Sequence, residues 1–324
     1  MGVNFVPVVY EHAAAFIGKS PWEVSRDTEL MYKAHAAAYE YYRHSPVTVG
    51  IDIYNLEAEA YGARVENPGG NGIPSIREHP LKTVDTLKDL PLFKPEKDGR
   101  LPMLLEAALR LKREYPEADV RVPVSGPFSV AVNLLGIENL VMQAFTRGDV
   151  VREALARLGE GQVGFCKAVT EKGLGITFFE SAATPPMISP DVFEGVEYPV
   201  LKETMDRCSA ITGRRTACIM GGDTAPILPV LLKTKPGFLI CPAETDQIRF
   251  MEQMSSVPTI TVRINMNAGI IANGTWEEIQ AEADRVLSIA QERPNTLIGP
   301  GVLAYTTPPK NVIKLREYVN ERIG

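Results

Sequence analysis

Histidine is scarce in this 324-residue chain: His12, His35, His44 and His79 are all there is, and none lies beyond residue 79. A metal site in the C-terminal half would therefore have to use Cys, Asp or Glu. Cysteine is scarce too. Four in this length are too few for a disulfide scaffold. Basic residues are outnumbered, 34 against 40 acidic, for a formal net charge of −6. No basic block stands out, so nucleic acid is not an expected partner. No uninterrupted apolar run approaches the roughly 18 residues of a membrane span. The N-terminus has no charged stretch leading into an apolar segment, so a cytoplasmic location is expected.

What is present is ordinary for a globular enzyme, with 45% hydrophobic and 23% charged residues. Eight short β-like runs can be read, at 6–11, 47–52, 120–126, 175–180, 215–220, 237–242, 259–265 and 295–300. Helical periodicity falls between them, at 21–42, 101–115, 148–172, 191–208, 246–254, 276–292 and 309–322. Eight strands alternating with helices predict a (β/α)8 TIM barrel spanning 1–324 as a single domain, with an open doubly wound sheet as the alternative. The stretch 63–99 interrupts the alternation with Pro68-Gly69-Gly70-Asn71-Gly72 and further prolines. It reads as an inserted loop region, either a lid or a surface excursion.

In a barrel, chemistry gathers where strands hand over to the following loops. The groups there are Glu11-His12, Asp52 and Tyr54, Ser125, Glu180-Ser181, Cys218 with Met220 and Asp223, Cys241 with Glu244, and Arg263 with Asn265. Two cysteines sit at the mouths of neighbouring apolar runs, Thr216–Met220 and Gly237–Cys241, which suggests a soft-metal site or an activated sulfur. Each group also has a plain structural reading. Buried cysteine often behaves as a small hydrophobe. His12 could hydrogen-bond a carbonyl, and Tyr54 and Asn265 could be polar rim. Asp52 and Glu180 end apolar runs, where an uncompensated charge is rare, and this favours a functional role.

Six segments stand in order along the chain: Gly126-Pro127-Phe128-Ser129, Ile188-Ser189-Pro190-Asp191-Val192-Phe193, Cys218 through Pro226, Asn273-Gly274-Thr275, Gly299-Pro300-Gly301-Val302 and Thr307 through Asn311. Together they resemble the uroporphyrinogen decarboxylase superfamily, which includes corrinoid- and coenzyme M-linked methyltransferases. The resemblance covers almost the whole chain and implies a distorted (β/α)8 barrel. The departures are informative. Where decarboxylases carry an arginine-rich first-strand motif, this chain reads Glu11-His12-Ala13-Ala14-Ala15, the wrong sign for a polyanionic tetrapyrrole. The decarboxylase tyrosine falls at Asn133 and its histidine at Pro300; only its aspartate has a match, at Asp52. The zinc ligands of the methyltransferase branch fall at Cys218, Met220 and Pro300, so that triad is broken.

The resemblance implies a methyltransferase moving a methyl group between a small methylated amine, thiol or aryl ether and a corrinoid (cobalamin) carried on a partner protein. A zinc held by Glu180, Cys218 and Cys241, with Glu244 or His12 as a fourth ligand, would assist it. His12, Asp52 and Glu244 are the expected proton-transfer groups. Tyr54, Asn133, Arg263 and Asn265 are the expected substrate contacts. Barrels of this kind often pair, so a homodimer is one expected state. A decarboxylase and a non-catalytic corrinoid- or small-molecule-binding barrel are the alternatives.

Overall fold

The computed structural model describes residues 4–290 and 293–323. Eight parallel strands form its centre: β1 (Asn4–Phe5), β2 (Val47–Thr48), β3 (Val120–Ser125), β4 (Gly175–Phe179), β5 (Ala217–Cys218), β6 (Phe238–Cys241), β7 (Thr261–Met266) and β8 (Thr296–Pro300). Each expected run contains or adjoins one of them. The ladder runs β2-β3-β4 and β5-β6-β7-β8-β1. The two arcs meet through a parallel bridge between Phe179 and Ile219, where the Ile219 amide donates to Phe178 O at 2.9 Å and the Glu180 amide to Ile219 O at 2.9 Å. This order is that of a TIM barrel.

Between β1 and β2 no ladder pairing is recorded among the described residues. Pro7 and Pro46, which have no N–H to give, line a small cavity at this seam. Pro7 also explains why the run expected at 6–11 is a two-residue strand continued by isolated contacts. The Val6 amide reaches Ile298 O at 2.8 Å, and Val8 bridges to Val302. Gly299 permits this close approach, since a Cβ there would stand 2.0 Å from Val6 O.

Apart from the two-residue β1, whose Asn4 is exposed, the strands are largely buried on both faces, as parallel strands flanked by helices must be. Helices Leu101–Glu114, Gly148–Glu171, Tyr198–Thr212, Trp276–Ala290 and Pro309–Ile323 pack outside them, each with a buried apolar stripe. The helix expected over 21–42 is two helices, Pro21–Ser25 and Thr28–Tyr42. Asp27 caps the second by accepting from the Leu30 amide at 2.8 Å. The helix expected over 276–292 is described to Ala290; its last two positions lie outside the described residues. No single helix among the described residues is long and apolar enough to cross a membrane.

The excursion at 63–99 is a packed surface element. An antiparallel pair, Val65–Glu66 with Ser75–Ile76, leads to a short helix, Val84–Lys88. Val84, Leu87 and Phe93 are buried, and Phe93 lies edge-on to Tyr61 and Phe165. Asn55 Nδ2 donates to Pro74 O at 2.7 Å, which sets Ile73 and Pro74 at the rim of the barrel mouth.

Candidate active site at the barrel mouth

The carboxyl ends of the strands surround a cavity of about 680 Å³. Side-chain direction alternates along each strand, and this decides what reaches it. Phe179 and Ser181 after β4, Ile219 and Gly221 after β5, Ile240 and Pro242 at β6, and Arg263 and Asn265 on β7 all line it. The residues at alternate positions, Glu180, Cys218 and Cys241, point the other way into the helix layer and are fully buried there.

The expected zinc site is therefore not formed. Glu180 receives the Phe128 amide at 3.1 Å, the Ser129 amide at 2.8 Å and the Ser129 hydroxyl at 2.6 Å. It caps the N-terminus of helix Pro127–Leu135, whose orphan amides and dipole favour a carboxylate. Gly126 makes this possible, since a Cβ there would lie 1.9 Å from Glu180 Oε2. Beside it, burial and the Glu180 charge push Glu197 well above the usual carboxylate range. Glu180 has the donors and Glu197 carries the proton. Cys218 stands against this acidic pair; burial, Glu180 and Glu197 all raise its thiol. Cys241 is also raised by burial and sees Arg285 and Asp246 on the outer side of β6. Among the described residues no three His, Cys, Asp or Glu side chains stand close enough to hold a metal ion. The donor set does not fit zinc, because alternation turns its members away from the cavity.

His12 is likewise placed elsewhere. Its Nδ1 pairs with Ala304 O at 2.9 Å and its Nε2 with the Tyr42 hydroxyl at 2.8 Å, in a fully buried position. Burial lowers its pKa. It ties the chain after β1 to the segment after β8, and none of the four histidines lines the cavity. Asn133 lies behind the wall and donates to Tyr54 O at 2.6 Å.

Asp52 lines the cavity, but its carboxylate is spoken for. Arg100 grips both oxygens, Nη1 to Oδ1 at 2.7 Å and Nη2 to Oδ2 at 2.6 Å, and Asn55 Nδ2 adds a third bond at 3.0 Å. Arg100 Nε also pairs with Glu59. Asp52 thus fastens the loop after β2 to the start of helix Leu101–Glu114, and three of its four lone-pair sites are taken by protein donors. This corrects the expected proton-transfer role.

Five of the ten expected residues do line the cavity: Asp52, Tyr54, Glu244, Arg263 and Asn265. Glu244 is exposed at the opening. The Tyr54 hydroxyl meets the Ser181 hydroxyl at 2.6 Å, and the Tyr54 ring packs edge-on against Phe179. Arg263 donates from Nε to Asn265 Oδ1 at 2.9 Å, and burial draws its pKa down to about 10. The sequence reading places Glu11 at a strand end without giving it a role, and does not single out Tyr10. Tyr10 packs edge-on against Phe179 from the opposite side, and burial raises its pKa. Glu11 is 7% exposed, and burial pushes its pKa up to about 7. A carboxyl poised near neutrality in an apolar-walled cavity suits proton transfer. The available signal was Glu11 itself, the carboxylate that ends the first run.

Fold and cavity together define a barrel protein with an open cavity at the strand ends. The profile of the uroporphyrinogen decarboxylase (URO-D) family matches residues 3–322, and the chain belongs to that family. Among solved structures, it is similar to a methyltransferase from Methanosarcina mazei, with a TM-score of 0.82 and 21% identity over 99% of this chain and 95% of that one. It is also similar to a protein assigned as a vitamin-B12-independent methionine synthase from Listeria monocytogenes, with a TM-score of 0.55 and 10% identity over 99% and 96% of the two chains. A search of curated proteins returns no match.

Proposed function

We propose that this chain is a methyltransferase that moves a methyl group between a small methylated amine, thiol or aryl ether and a corrinoid carried on a separate protein. The observation that carries the reading is the lining of the mouth cavity: apolar walls, a carboxyl with its pKa near 7, and a single guanidinium. A decarboxylase of the family's name would have to hold a tetrapyrrole's many carboxylates, and one cation does not balance them. The likeness to a methyltransferase of M. mazei supports the reading at the level of fold.

A cavity of about 680 Å³ is sized for a small molecule. A corrin macrocycle would lie across the mouth, where Ile73 and Val302 present half-exposed apolar side chains. When bound there, the corrinoid supplies the atom that accepts the methyl group. The chain's own residues do the rest. Val8, Ile51, Ile53, Phe179, Ile219 and Ile240 enclose the substrate body and exclude water. As the heteroatom–methyl bond breaks, its electron pair stays with the heteroatom. Protonated Glu11 delivers a proton there, and in the reverse direction takes one back. Zinc has no part in this scheme, since the residues expected to hold it face away from the cavity.

The test is demethylation of a panel of methylated amines, thiols and aryl ethers by the purified chain with cob(I)alamin. A donor should be turned over, and Glu11→Gln should slow it by about 10²–10⁴-fold. The wild-type rate should fall as pH rises through about 7, where Glu11 loses its proton. Failure with every donor class, or an unimpaired Glu11→Gln protein, would sink the reading.

A further inference from the structure

Arg263 is a buried cation. It is 8% exposed and lies on the cavity side of β7. Among the described residues no carboxylate pairs with it, and its one recorded hydrogen bond is from Nε to Asn265 Oδ1. Burying an uncompensated guanidinium is costly. The groups beside it offer further donors. An arginine only donates, so the Asn265 atom facing Nε must be the carbonyl oxygen, and this leaves Nδ2 as a donor. That Nδ2 stands 4.0 Å from where a Cβ of Gly301 would sit, and Gly301 is another lining residue. Tyr10 is the ionisable neighbour of Arg263, and burial keeps its hydroxyl protonated. The terminal guanidinium nitrogens and Asn265 Nδ2 can only donate, and the protonated Tyr10 hydroxyl can donate beside them, beneath apolar walls.

We infer that this floor is a carboxylate subsite, so that the substrate of the transfer proposed above is a methylated compound bearing one carboxylate. A single guanidinium offers the two parallel donors that a planar carboxylate accepts. A phosphate dianion would leave a net negative charge buried in the cavity. The anchored carboxylate orients the apolar body toward the mouth, where Glu11 and Glu244 stand. The inference rests on the mouth cavity being the substrate pocket. Its test involves binding alone, so it stands or falls separately from methyl transfer.

The full chain should be titrated by calorimetry with 4-methoxybenzoate and with its neutral isostere 4-methoxybenzamide. The acid should bind at least about tenfold tighter. Arg263→Gln should erase that preference while leaving the circular dichroism spectrum unchanged, and Arg263→Lys should keep part of it. Asn265→Asp, which supplies Arg263 with an internal carboxylate, should also erase it and serves if Arg263→Gln does not fold. Equal affinity for acid and amide, a preference that survives Arg263→Gln or Asn265→Asp, or no binding of 4-methoxybenzoate at about 10 mM would overturn the inference.

Discussion

The two faces of the same strand ends do opposite work. On the cavity face stand Tyr10, Ser181, Arg263 and Asn265, with the Glu11 carboxyl beside them; Arg263 has no counter-charge among the described residues, and Glu11 lies in surroundings that shift it toward neutrality. On the helix face stand Glu180, Cys218 and Cys241, a carboxylate and two thiols that any search for ligands would pick first. There the carboxylate is saturated with donors, its neighbour Glu197 is kept neutral and the thiols are held protonated. Reactive residue types are therefore a poor guide to reactive positions. What distinguishes the faces is whether polar groups are satisfied by the protein or left for something else to satisfy.

The comparison can be broken most forcefully at its helix face. Gly126→Ala puts a methyl group into the Glu180 carboxylate, so the cap must move and the charge loses its donors. A loss of about 4–5 kcal/mol in urea unfolding is expected; tolerance of the alanine would show that Glu180 is not a fixed part of the fold. Arg100→Met should cost about 3–5 kcal/mol by stranding the Asp52 charge, which is almost wholly buried. If it instead left stability intact and reduced only turnover, Asp52 would return to the catalytic set. The gentlest change is Cys218→Ser with Cys241→Ser. It should cost about 1–2 kcal/mol in total and leave both turnover and elemental zinc content at the wild-type level. Stoichiometric zinc in the wild type that disappears in this variant would restore the ligand role that strand alternation argues against.

Much of the fold was legible in the sequence because parallel strands flanked by helices have a strong two-part rhythm, and each of the eight expected runs contains or adjoins a strand. Facing was not legible for the same reason. A strand buried on both sides is apolar at every position, so Thr216–Met220 carries no alternation to show which residues look inward. A one-residue difference then separates Ile219 in the cavity wall from Cys218 behind it, and Glu11 in the pocket from His12 in a structural clip. The Asp52–Arg100 pair was hidden differently. Its partners lie far apart in sequence on either side of the 63–99 excursion, and no local pattern joins them. Arg263 and Asn265 were recoverable because two polar residues at alternate positions of an apolar strand mark one face.

The contacts around β1 also bear on the order in which the barrel can assemble. β1 pairs with β8 near Leu297, and His12 reaches across to Ala304, so these bonds close loops of nearly the whole chain. On its other side β1 meets only the proline-bearing seam toward β2. During synthesis the first strand therefore has no lasting neighbour until the last one leaves the ribosome. Until then it is an open edge, and the long-range closure makes barrel completion the slow, late step of folding.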